Sequence, residues 1–228
     1  MPHARIVQDL GADGGTVVVV DVIRAFTTAA AAFAAGAERV VCVGSEAEAR
    51  ARSGDGGAVL AGERDGLRAE GFDLGNSPLE AAAAPLAGAT VVLMTQNGTA
   101  ALARAATTAA SVVAAAAVNV TATASWILRH RPDAPVTILC SGGRDDDLAC
   151  AEHLAALLAG EAPSAAATRD RVLASIPALL EEEWRPFHTP ASCRAFEDDA
   201  RVCAEVDAHP VAMVGRRVAG AVELRGVV

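Results

Sequence analysis

Thr16-Val17-Val18-Val19-Val20-Asp21-Val22-Ile23-Arg24-Ala25-Phe26-Thr27-Thr28 passes from a β-branched run to the start of an alanine-rich stretch without a loop of any length. Valines at consecutive rather than alternating positions fit a strand buried on both faces, as in a parallel sheet with helices on either side. Asp21 and Arg24 follow within a turn, which the apolar core of a signal peptide does not tolerate. Alanines then dominate 25–35, a helix of low bulk.

Moving outward, the same alternation repeats. Strands are predicted at 16–22, 40–43, 58–61, 90–94, 112–116 and 136–139, and helices at 25–35, 46–52, 78–86, 99–106, 121–131 and 145–158. Strand and helix in strict alternation predict an α/β fold, a three-layer α/β/α arrangement around a largely parallel sheet. Beyond 160 the pattern changes to a mixed helical and short-strand C-terminal segment: helices at 164–183 and 192–204, then two short strands within 210–224 joined near 215–217. Roughly 65 residues poor in large apolar side chains would be marginal alone. Residues 1–228 are therefore read as one domain, with 1–160 carrying the motifs and 161–228 continuing it.

Composition narrows the chemistry. Nineteen cationic residues stand against 28 acidic ones, a net charge of -9, which argues against a nucleic-acid partner. No segment offers ~20 lipid-compatible residues, so no membrane span is expected and the cytoplasm is the expected compartment. All 19 cations are arginine, since lysine is absent. That excludes Schiff-base chemistry and a Walker-type phosphate loop. Five cysteines without a CxxC pair read as reduced thiols.

In open parallel sheets a ligand sits outside the carboxyl ends of the strands. Asp21, Glu63, Thr95 and Cys140 fall at or just past four such ends. Gly62-Glu63-Arg64-Asp65-Gly66 and Gly71-Phe72-Asp73-Leu74-Gly75-Asn76-Ser77-Pro78 are loops stripped of bulk, suited to close backbone approach. Ser77, Pro78 and Glu80 also form a helix-capping pattern. Thr95-Gln96-Asn97-Gly98-Thr99 opens a helix and could cradle an anion or simply turn the chain. Asp145, Asp146 and Asp147 begin another helix, where they complement its dipole or offer a ligand for a hard cation. HExxH and GxSxG are absent, the five histidines are dispersed, and the spacing from Cys140 to Arg144 is too short for a cysteine-phosphatase loop. Oxygen-rich chemistry remains, favouring Mg²⁺ over zinc.

The blocks 21–28, 62–66, 71–78 and 95–102 resemble, in order, the signature segments of the 2-phosphosulfolactate phosphatase family, and 140–151 resembles its later Cys, Gly and acidic block. The resemblance covers roughly 15–155. It implies Mg²⁺-dependent release of phosphate from 2-phosphosulfolactate or a related phosphorylated 2-hydroxy acid, on the route to coenzyme M. Together with the residue chemistry it makes Asp21, Glu63 and Arg24 the catalytic candidates. The metal candidates are Asp21, Glu63, Asp73 and Asp147. Candidates for substrate contact are Arg24, Thr28, Asn76, Ser77, Asn97, Gly98, Thr99 and Cys140. Arg24 is either a bidentate anion partner in the cleft or a surface partner of a helix carboxylate. Water is favoured over Asp21 as the nucleophile, because Ile23 stands where an aspartyl phosphatase carries its second acid. A noncatalytic binder of a small phosphorylated or sulfonated acid is the alternative, a nucleotide-binding enzyme a weaker one. A homo-oligomer is compatible with either.

Overall fold

A computed structural model describes residues 3–11, 14–54 and 57–228. The valine run is strand β2 (Thr16–Val20), and its alternation divides it between two cores. Val18 and Val20 pack in one core and Val17 and Val19 in the other, as the two-residue period of a strand requires. Around it lie β1 (Ala4–Val7), β3 (Arg39–Val43), β4 (Val59–Arg64), β5 (Leu67–Arg68), β6 (Thr90–Met94), β7 (Ser111–Ala115), β8 (Val136–Cys140), β9 (Ala212–Val218) and β10 (Ala221–Val227). The helices are α1 (Ala25–Ala34), α2 (Glu46–Ser53), α3 (Pro78–Ala83), α4 (Gly98–Ala105), α5 (Val120–His130), α6 (Asp145–Leu158), α7 (Ala165–Leu179) and α8 (Pro190–Cys203). A π turn, Leu180–Trp184, extends α7. No helix among the described residues is long and apolar enough to cross a membrane.

Ten strands form one sheet in the order β1-β8-β2-β7-β9-β10-β3-β6-β4-β5. The α/β/α expectation holds, with one addition that the sequence did not disclose. The hairpin β9–β10 lies in the middle of the sheet, antiparallel to β7 on one side and to β3 on the other. It joins two parallel groups, β1-β8-β2-β7 and β3-β6-β4. The C-terminal segment thus completes the sheet.

Three antiparallel steps separate the two groups, so the ladder formally opposes them. At about 20–25° of rotation per neighbour, however, the five steps from β2 to β6 turn the strand direction by roughly 100–125°, leaving only about 55–80° between the two strands. The loops after β2 and β6 accordingly meet: a methyl group built at Gly98 would lie 2.6 Å from Asp21 Oδ2.

The turn of the hairpin differs from expectation. It falls at Ala219-Gly220, both with positive φ (47° and 86°), as a two-residue turn between twisted strands requires. Gly215, expected at the turn, lies inside β9, where a side chain would meet Val112 Cγ2 at 2.6 Å and Val222 Cγ1 at 2.9 Å. Gly215→Val should therefore destabilise the protein by about 1–3 kcal/mol through overpacking, although valine favours strands. Urea unfolding measures this, and an unchanged or raised midpoint would contradict the packing described.

Candidate active site

A cleft of about 870 Å³ opens where the loops after β2, β4, β6 and β8 converge, closed on one side by the π turn and α8. Asp21, at the end of β2, is buried and oriented by two donors. The Ala25 N–H gives 2.9 Å to Oδ1 and the Ser141 hydroxyl 2.7 Å to Oδ2. Gly98 opens α4 against this carboxylate because only a residue without Cβ fits between Asp21 and Ala25.

Arg24 is buried and lines the cleft. Its Nη1 donates to Asp199 Oδ2 of α8 at 2.9 Å and its Nη2 to the Gly66 carbonyl at 2.9 Å. Arg24 thus lies on the cleft wall and pairs with a helix carboxylate, but the pair is buried rather than on the surface. Arg144, which the sequence did not single out as a site residue, lines the same cleft; it donates to the Ile23 carbonyl at 3.0 Å and to Glu183 Oε2 at 3.2 Å. Arg64 and Arg68 add two more guanidinium groups to the rim, paired with Glu46 and Glu80.

Glu63 lines the cleft, yet both its oxygens accept backbone N–H groups, from Gln96 at 2.9 Å and Gly66 at 2.8 Å. It ties the loop after β4 to the loop after β6. Asp147 has the same character: Oδ1 accepts from Val22 N at 2.8 Å and Oδ2 from Gly142 N at 2.9 Å. Burial, followed by the Asp21 and Asp146 charges, pushes its carboxyl well above the ordinary range. Asp146 is the exception in the acidic run. It has no exposed surface, and neither oxygen has a hydrogen-bond partner. Arg144 Nε lies 3.6 Å from Oδ1, beyond hydrogen-bond reach. Burial is the main cause of its raised pKa, opposed by Arg144, reinforced by Asp21 and further opposed by the nearby N–H groups of Asp146 itself and Ile23.

Several expected contacts lie elsewhere. Asp73 is exposed and accepts from Leu60 N at 2.8 Å, latching the beginning of β4 outside the cleft. Thr99 is fully buried and exchanges hydrogen bonds with Thr95, closing the start of α4. Thr28 is buried in α1, and its hydroxyl has no partner. Ser77 caps α3 through Glu80 N at 3.1 Å and donates to Asp199 Oδ1 at 2.6 Å. Asn76 and Asn97 do line the cleft, and the side-chain oxygen of Asn76 is unpartnered. Cys140 is buried behind the loop; desolvation and the Asp147 charge push its thiol up to about 12, which keeps it protonated at neutral pH.

Fold and cleft together define a class: a three-layer α/β protein whose strand-end loops gather carboxylates and arginines around one cleft. Residues 3–216 match the family described as 2-phosphosulpholactate phosphatase, and the chain belongs to that family. A protein of Microcystis aeruginosa named "Probable 2-phosphosulfolactate phosphatase" is 33% identical over 212 residues, 85% of this chain and 86% of the relative. Proteins of the same name from Carboxydothermus hydrogenoformans and Thermus thermophilus are 42% and 49% identical over 154 and 146 residues. Those matches cover 65% and 62% of this chain, and the chain spans 62% and 61% of the two relatives.

Alanine normally stabilises a helix over glycine by about 1 kcal/mol. Gly98→Ala should do the reverse, costing about 1–3 kcal/mol, because its methyl group would meet Asp21 Oδ2 at 2.6 Å and Ala25 Cβ at 2.8 Å. Thermal or urea unfolding gives the sign directly; stabilisation would mean that Asp21 is not held against α4.

Proposed function

We propose that this chain hydrolyses the phosphomonoester of a small 2-hydroxy acid, 2-phosphosulfolactate or a close relative, releasing inorganic phosphate. The observation that carries the reading is the grouping of two cleft-lining arginines, Arg24 and Arg144, about the oriented carboxylate of Asp21 in a chain without lysine. A phosphoryl group in transfer spreads charge over three oxygens, so aimed donors and positioning supply most of the catalysis. The ester's own carboxylate and second anionic group call for further cations, which Arg64 and Arg68 offer on the rim. Water attacks phosphorus, the bond from phosphorus to the C2 oxygen breaks, and that oxygen takes up a proton as the hydroxy acid leaves. Asp21 is the carboxylate placed to orient the water. On the same reading the reaction belongs in the cytoplasm, and its product lies on the coenzyme M route that the family resemblance implies.

The donor set also supports a requirement for Mg²⁺. Asp146 is a fully buried carboxylate beside Asp21 whose oxygens accept no hydrogen bond and whose ion-pair contact, Arg144 Nε at 3.6 Å, is long, an arrangement that a further cation would balance. Among the described residues no cluster of three or more His, Cys, Asp or Glu is preformed for a metal. Mg²⁺ does not need one, since it commonly takes one or two carboxylates and completes its shell with water and substrate phosphate. Asp21 and Asp146, which lies beneath the cleft lining, are the residues we assign to hold it, in preference to Glu63, Asp147 and Asp73, whose oxygens accept backbone N–H groups. Bound there, the ion would supply positive charge for the phosphoryl oxygens.

Incubation of the pure protein with phosphorylated 2-hydroxy acids tests the reading. Phosphate release should appear with Mg²⁺ and vanish with EDTA. Tight binding without release would instead favour a noncatalytic binder, and full turnover in EDTA would remove the metal from the proposal.

A further inference from the structure

Asp199 belongs to α8, outside every block that resembles the family's signatures, yet it is nearly inaccessible (3% exposed), touches two of them and is linked to a third through Arg24. Its Oδ2 accepts from Arg24 of the first block, which in turn reaches Gly66 of the second. Its Oδ1 accepts from the Ser77 hydroxyl of the third at 2.6 Å, with Leu79 N at 3.4 Å. The guanidinium carbon of Arg24 lies 5.1 Å and 5.3 Å from the ring centres of Trp184 and Phe196, which stack on each other at 4.2 Å.

These contacts fix a side chain that would otherwise sample many rotamers. Of five N–H groups on Arg24, two meet protein acceptors among the described residues, one on each terminal nitrogen. Both contacts draw the planar group, which lines the cleft, to one orientation. Fixing the fork in advance removes part of the ordering cost of gripping an oxyanion. A buried ion pair is weak evidence of stabilisation for its own sake, because desolvation offsets the attraction. We infer that Asp199 is a positioning residue for the phosphate site: through its contacts with Arg24 and Ser77, it holds the Arg24 guanidinium in the orientation that receives the phosphoryl oxygens.

The inference rests on the phosphatase reading only in taking the cleft ligand to carry phosphate, so the test uses binding of inorganic phosphate to the full chain as well as turnover. Calorimetry on the native protein, Asp199→Asn, Arg24→Met and the double variant gives a cycle. Asp199→Asn should weaken phosphate binding by about tenfold while Arg24 is present and less than about twofold when Arg24 is already Met. Equal effects in both backgrounds, or a lowered melting temperature with unchanged affinity, would assign Asp199 to stability alone and overturn the inference. Should Asp199→Asn fail to fold, Ser77→Ala decides: it frees Asp199 Oδ1 but keeps the ion pair, and weaker phosphate affinity supports positioning whereas unchanged affinity contradicts it. A native protein that binds phosphate but releases none from any ester refutes the phosphatase reading and leaves the cycle valid. One that binds no phosphate overturns both.

Discussion

The ladders β7/β9, β9/β10 and β10/β3 are the sole strand pairings, among the described residues, between the group that carries Asp21 and the group that carries Glu63 and the start of α4. Everything in the cleft depends on them. A parallel group of β1, β8, β2 and β7 presents Asp21, the 141–144 loop and the start of α6; a second group of β3, β6 and β4 presents Glu63, Gln96 and Gly98. The hairpin sets the spacing and twist between them, and backbone hydrogen bonds, hard to stretch individually, transmit that geometry to the loops. Gly215 shows how close the fit is, since a single Cβ there would collide with neighbours on both adjoining strands.

On that frame the carboxylates differ in what their oxygens accept. Glu63 and Asp147 each accept two backbone N–H groups and so shape loops. Asp21 is oriented by a hydroxyl and an N–H, while Asp146 is desolvated and accepts no hydrogen bond, with Arg144 Nε 3.6 Å away. The arginines divide in the same way. Arg24 is locked by Asp199 and Gly66, whereas Arg144 reaches from Ile23 to the half-exposed Glu183 across the cleft mouth.

The sequence disclosed the strands whose apolar runs are continuous, because burial on both faces leaves no doubt about their period; β2, β6 and β8 fall where the valine and leucine runs lie. It did not disclose β1, four residues interrupted by Arg5, or the position of the hairpin turn, since Ala219 carries no turn signal and Gly215 imitates one. The clustering of Asp21, Glu63, Arg24 and Asn97 was legible from strand ends followed by small polar loops. The choice between Asp146 and Asp147 was not. Successive helical residues point about 100° apart, and nothing in a run of three aspartates says which one turns to the backbone. Asp199 was hidden for another reason: its partner Arg24 is 175 residues away, and an acid in an amphipathic helix ordinarily faces water.

Native-state hydrogen exchange on the full chain tests the central claim, that the last two strands are the joint on which sheet and cleft depend. Amides of β9 and β10 should exchange only through global unfolding, with the same free energy and denaturant dependence as those of β2 and β6. Exchange of the hairpin at a markedly lower free energy, with β2 and β6 still protected, would show that the two groups hold together without it and would contradict the account.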